Sequence, residues 1–152
     1  MTKVRLGLIG LGNIGQHHAV YLSAGKITGA ELVAVSDAVP AKLSAYPHLK
    51  TFESPEELIR SVIIATPHFQ HTSLGIAALQ EGLHVMVEKP ISAHKADAER
   101  LIAAHQARPR LVFAGMFQLR AEPRYLKIRH LLQSGELGQV IRMSWIMPDW
   151  FR

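Results

Sequence analysis

The chain has 152 residues, 48% of them hydrophobic and 19% charged, a balance that excludes an intrinsically disordered chain. It has no cysteine, which excludes disulfides, thiolate metal sites, iron–sulfur clusters and cysteine nucleophiles. The net charge is +5, but Arg120, Arg124, Lys127, Arg129 and Arg142 alternate with apolar residues, so this basic second half reads as a solvated face and not as a nucleic-acid site.

Along the chain, apolar runs and helical stretches take turns. Val4–Ile9 reads as a buried strand, residues 13–24 as a helix closed by Gly25, and Glu31–Ser36 as a second strand. A short helix is expected near Ala41–Tyr46 and a short strand at Lys50–Phe52. Ser54-Pro55-Glu56-Glu57 has the marks of a helix start, with a capping serine, a proline suited to the first position and a glutamate that can reach back. Val62–Ala65 is a strand without polar alternation, as expected where both faces are covered. Then come a helix over 71–81 stopped by Gly82, a strand over His84–Glu88, a helix from Ser92 to about Ala107, a strand over Leu111–Met116, a helix over Pro123–Ser134 and a last strand over Val140–Ile146. Repeated strand–helix–strand order predicts an α/β fold, a doubly wound parallel sheet of Rossmann type.

Two connections are short. Asp37 to Lys50 has to hold a loop, a crossover helix and a return loop, and only Ser61 separates the helix ending at Arg60 from the strand at Val62. Either these units are trimmed or residues are missing from them; missing residues are the expectation. No apolar run approaches the ~20 residues that cross a bilayer. The first residues lack an apolar stretch followed by a small-residue cleavage site. A cytoplasmic protein without membrane partners is expected.

Three motifs carry chemistry. Gly10-Leu11-Gly12-Asn13-Ile14-Gly15 follows the first strand and opens the first helix. In that context Gly10 permits the tight turn, Gly12 a close approach of the backbone to a pyrophosphate, and Gly15 close packing of helix on strand. Asp37 ends the second strand, 22 residues after Gly15, where a carboxylate accepts from the adenosine ribose hydroxyls. A carboxylate repels a 2′-phosphate, Ala38 and Val39 offer no partner for one, and Lys42 lies a helical turn away, so NAD is favoured over NADP. Ala65-Thr66-Pro67-His68-Phe69-Gln70-His71 leaves the fourth strand at the end where such sheets bind ligands. Thr66 and Pro67 are expected against the cofactor; His71 contacts it, caps the next helix or packs. His17 and His18 read as structural, and the nine histidines show no metal spacing. Glu88-Lys89-Pro90 ends the fifth strand, with Glu88 able to hold the lysine's ammonium. A lysine there either polarises a substrate hydroxyl or is a surface residue before a proline turn.

Taken together, GLIGLGNIGQHHA, Asp37, IATPHFQHTSLGIAALQEGLHVMVEKP and GMFQLRAEPRYLKIRHLLQSGELGQVIRMSW resemble the glucose–fructose oxidoreductase / inositol dehydrogenase / rhizopine-catabolism (Gfo/Idh/MocA) family over essentially the whole chain. The resemblance implies a dinucleotide-binding Rossmann domain over residues 1–120. Residues 121–152 would then begin a C-terminal α/β domain with a mainly antiparallel sheet, through which such proteins form dimers or tetramers. It implies an NAD(P)-dependent dehydrogenase acting on a sugar, polyol or related hydroxyl. It places cofactor binding on Gly10, Gly12, Asn13, Ile14, Gly15, Asp37, Thr66, Pro67, His71, Glu88 and Lys89, the catalytic lysine on Lys89, and a residue facing the substrate on Arg120. A non-catalytic dinucleotide-binding domain, a sensor or a sequestering module, is the alternative. The sequence departs from the family pattern in three ways: no Asp-Ala pair precedes Val62, the second crossover is short, and the acid/base histidine expected further along does not occur before Arg152.

Overall fold

The computed structural model describes residues 3–53 and 61–146. Two compact units divide the chain, Met1–Met116 and Phe117–Arg152.

In the first unit six strands form one parallel sheet: β1 (Val4–Ile9), β2 (Ala30–Ser36), β3 (Lys50–Phe52), β4 (Ser61–Ile64), β5 (His84–Val87) and β6 (Phe113–Gly115), in the order β3-β2-β1-β4-β5-β6. The helices between them are α1 (Asn13–Ser23), α2 (Pro40–Leu43), α3 (His68–Gln80) and α4 (Lys95–Gln106). Successive side chains of a strand point to opposite faces, so the continuous apolar runs feed two cores. Val62 and Ile64 of β4 pack with Ile9, Val85 and Val87 against Leu79 of α3 and Leu101 of α4. Ile63 turns the other way, joining Leu8, Leu32 and Val35 against Ala19 and Leu22 of α1 and Leu43 of α2. The doubly wound sheet follows from that two-sided burial.

The short crossover after β2 closes within its own residues. Backbone bonds run from Lys42 N to Val39 O at 3.0 Å, from Tyr46 N to Leu43 O at 2.9 Å and from Leu49 N to Tyr46 O at 3.0 Å. The residues present suffice for the crossover, with α2 a single turn starting at Pro40. The expected helix from Pro55 and its tight return lie outside the described residues.

Two helix starts differ from the sequence pattern. Helix α3 begins at His68, not at residue 71, because Pro67, with φ −58° and ψ 145°, takes the N-cap position. This sets His71 inside the first turn. Helix α4 begins at Lys95, not at Ser92, because the Ser92 hydroxyl is spent on Thr72 Oγ1 at 2.7 Å.

The second unit contains a 3-10 turn (Gln118–Arg120) and helix α5 (Pro123–Ser134), which ends at Gly135 with φ 77°. The strand expected over Val140–Ile146 is absent. Ile141 is 93% and Ile146 87% exposed, and the described residues of this unit contain no second extended segment to satisfy a strand's N–H and C=O groups.

Candidate functional site

In the strand order β3-β2-β1-β4-β5-β6, chain direction through the sheet reverses between β1 and β4. Loops leaving adjacent strands on either side of such a point diverge and open a crevice at the carboxyl ends. An open cleft of about 730 Å³ lies there. The loop after β1 supplies Gly10, Gly12, Asn13 and Ile14; the end of β2 supplies Asp37; the loop after β4 supplies Thr66 and Pro67; and β5 delivers Glu88 and Lys89. The motifs found in the sequence therefore meet at one place.

The glycine turn is built tightly. Gly10 has φ +92°, and a Cβ there would stand 2.8 Å from Ala65 O. A Cβ on Gly15, buried in α1, would stand 1.9 Å from Gly10 O. Around Gly12 nothing lies within 4 Å of the corresponding point. Gly10 and Gly15 thus serve the fold, whereas the bare flank of Gly12 faces open space. Gly12 is also the N-cap of α1, with no side chain capping the helix and no acidic residue in its first turn. The first-turn N–H groups and the positive end of the helix dipole are directed at the cleft without a competing carboxylate.

Asp37 is held by backbone. Its Oδ2 accepts from Leu11 N at 2.7 Å and its Oδ1 from Val39 N at 2.9 Å. Lys42 Nζ stands 3.2 Å from Oδ2, so α2 brings it onto the carboxylate; reading it as a helical turn away is corrected. Burial of Asp37 pushes its pKa up, but the Leu11 and Val39 N–H groups together with the Lys42 ammonium outweigh that and hold it below the ordinary carboxylate value.

Glu88 does not hold the Lys89 ammonium, contrary to expectation. Its Oε1 accepts from His18 Nε2 at 2.7 Å and its Oε2 from the Lys89 backbone N–H at 3.1 Å. The carboxylate is buried and ties the loop after β5 to helix α1. Lys89 is exposed on the cleft, and its ammonium has no ion-pair partner among the described residues. His18 was readable only as a structural histidine; its contact joins residues 70 positions apart, for which no local signal exists.

His71 is fully buried. Its Nδ1 lies 2.8 Å from Pro90 O and its Nε2 2.8 Å from Thr66 O. The imidazole thus braces the loop after β4 against the loop after β5, and both ring nitrogens are engaged by the protein. It neither caps a helix nor has a nitrogen free for a ligand; what it gives the cleft is a wall. Thr66 Oγ1 is buried without a hydrogen-bond partner among the described residues.

Arg120 belongs to the second unit, its guanidinium carbon 5.7 Å from the Phe117 ring centre. Among the described residues no cluster of histidine and acidic side chains could hold a metal ion, and no helix is long and apolar enough to cross a membrane.

These residues fit a dinucleotide. The open flank of Gly12 and the N–H donors of the uncapped helix start suit a pyrophosphate, and the fixed carboxylate at the end of β2 suits the hydroxyls of a ribose; the orphaned Thr66 hydroxyl is a further polar group awaiting a partner.

Residues 4–116 match the family described as oxidoreductase family, NAD-binding Rossmann fold (GFO_IDH_MocA). Inositol 2-dehydrogenase 1 of Saccharopolyspora erythraea is 30% identical over 91% of the chain, and myo-inositol 2-dehydrogenase of Thermotoga maritima is 31% identical over 93%. The chain spans only 44% and 45% of their lengths. Among solved structures, scyllo-inositol dehydrogenase of Lactobacillus casei with bound NAD(H) and scyllo-inositol superposes with a TM-score of 0.85 at 29% identity, covering 90% of this chain and 43% of that one. Myo-inositol 2-dehydrogenase of Lactobacillus plantarum does so with a TM-score of 0.85 at 27% identity, covering 92% and 44%.

Proposed function

The chain belongs to the Gfo/Idh/MocA oxidoreductase family, and from that premise we propose that it is the dinucleotide-binding part of an NAD-dependent dehydrogenase acting on a polyol of the inositol class. The observation that carries the reading is the meeting of the glycine turn, Asp37 and Lys89 at one cleft over the point where the sheet reverses. The names of the relatives and the scyllo-inositol complex support the substrate class. In this reading Gly10, Gly12, Asn13, Ile14 and Gly15 form the pyrophosphate turn, and Asp37 accepts from the adenosine ribose and favours NAD over NADP. Thr66, Pro67, His71 and Glu88 shape the wall along the nicotinamide half.

When bound, the dinucleotide supplies a nicotinamide that exchanges hydride with the substrate carbon. Lys89 is the catalytic residue. Its ammonium donates to the substrate oxygen and stabilises the negative charge left there as the hydroxyl proton departs, charge that is then drawn into the C=O bond as the C–H bond gives up hydride. Glu88 holds the lysine's own N–H and so aims the side chain. The hydroxyl proton goes to a base from a further domain. Residues 1–120 are the cofactor domain, and residues 121–152, with Arg120 at their edge, begin the substrate domain, whose mainly antiparallel sheet would also join subunits in the cytoplasm.

Two measurements test this. Calorimetric titration should show that the 152-residue chain binds NAD, while the chain alone turns over no myo-inositol. In the dehydrogenase containing it, Lys89→Ala should lower kcat roughly a hundred- to thousand-fold with NAD affinity unchanged. Near-normal turnover would remove Lys89 from the chemistry; failure of the chain to bind NAD would remove the whole reading.

A further inference from the structure

The ribose end of the cleft holds a charge pair and not a bare carboxylate. Lys42 Nζ stands 3.2 Å from Asp37 Oδ2, and both residues line the cleft. Asp37 does not need this lysine to stay in place, because the N–H groups of Leu11 and Val39 already fix its two oxygens, at 2.7 and 2.9 Å. The lysine is the looser partner: its side chain is 36% exposed against 9% for Asp37. An ammonium on a four-carbon stem carries three donors and reorients freely. It can leave the carboxylate for a ligand phosphate without disturbing the backbone. Glu53, which follows the β3 residue whose carbonyl accepts from Asp37 N, is among the described residues the other charge lining this end of the cleft, and it opposes an anion.

We propose that Lys42 is a specificity-determining residue that admits NADP alongside NAD, by pairing with the 2′-phosphate that Asp37 and Glu53 would otherwise repel. This rests on the cofactor reading above. Asp37 still accepts from the free 2′-hydroxyl of NAD, so NAD keeps the advantage; Lys42 lowers the penalty on NADP instead of reversing the order.

Calorimetric titration of the chain with each dinucleotide tests it directly. The unmodified chain should bind NADP within about tenfold of NAD. Lys42→Ala should weaken NADP by about a further tenfold, the size of one charge-assisted contact, and leave NAD within twofold. Lys42→Arg, which keeps the charge, should retain NADP binding. Unchanged NADP affinity in Lys42→Ala, or equal weakening of both dinucleotides, would overturn the proposal while leaving the cofactor reading intact. A chain that bound neither dinucleotide would overturn that reading and this proposal with it.

Discussion

Two single-methyl substitutions three residues apart should have opposite consequences. In Gly15→Ala the new Cβ would stand 1.9 Å from Gly10 O and 2.9 Å from Gly10 C. Real Cβ contacts essentially never fall below 3.0 Å, so the oxygen or the helix must retreat by 1.1 Å. The obstacle is backbone, anchored through Gly10 N to Ser36 O at 2.8 Å, and it cannot rotate away as a side chain would. Overpacking of this kind costs about 1–3 kcal/mol, and a fixed carbonyl puts it at about 3 kcal/mol, a large part of the ~5–15 kcal/mol that holds a domain together. Gly12→Ala meets nothing within 4 Å, and its φ of −72° suits an L-residue. The entropy gain of replacing glycine offsets the loss of a glycine N-cap, so stability should stay within about 1 kcal/mol. The same methyl, however, fills the open space beside Gly12 that we propose the pyrophosphate occupies, and NAD affinity should fall at least tenfold. Urea unfolding and calorimetric titration of the two variants separate the effects. If Gly12→Ala unfolded as readily as Gly15→Ala, or bound NAD normally, the division of labour drawn from these clearances would be wrong.

The Asp37 carboxylate has a lowered pKa in the folded chain; its contribution to stability is therefore complete above the ordinary carboxylate pKa of about 4 and is lost as pH falls through the lower folded value. Asp37→Asn should flatten that acid limb of the urea midpoint against pH, and an identical limb in the variant would assign it elsewhere. His18→Leu leaves the buried Glu88 carboxylate without its 2.7 Å donor and should cost about 2 kcal/mol, most of it recovered by His18→Gln; equal losses in both would point to packing instead of the hydrogen bond. His71→Leu removes the ring that lies 2.8 Å from the Pro90 and Thr66 carbonyls; an imidazole with one N–H donates to one of them, so the change should cost about 1–3 kcal/mol, with faster proteolysis in the loops after β4 and β5. A loss under about 0.5 kcal/mol would show that the brace bears no weight.

Much of the first unit could be read from sequence because its signals are local. A six-residue stretch, apolar but for Arg5 and Gly7, followed at once by a glycine turn and a helix leaves few alternatives to a parallel strand, and β1, α1 and β2 came within a residue or so of the expected limits. Errors arose where a local signal was taken by a distant partner. Ser92 looks like an N-cap, but its hydroxyl serves Thr72, 20 residues away. The alternating residues of Val140–Ile146 look like a strand, yet β-propensity describes how well a residue fits an existing sheet, and the described part of that unit has none.

The candidate site divides along the same line. Its position was legible because parallel topology forces every loop at one end of the sheet into one crevice, so the glycine turn, Asp37, Thr66 and Lys89 had to converge once the strand order was known. The bonds that aim these residues were not. His18 meets Glu88 across 70 positions and His71 meets Pro90 across 19, and neither pair has a spacing rule. Even the nearer pair, Asp37 and Lys42, escaped helical arithmetic, because α2 starts at Pro40 and lasts four residues, too short for a regular face to form. Lys42 is the third residue of α2, so its place beside the end of β2 is set by where that helix starts, at Pro40. The start of α2 thus sets a cation 3.2 Å from the carboxylate that we propose meets the adenosine ribose.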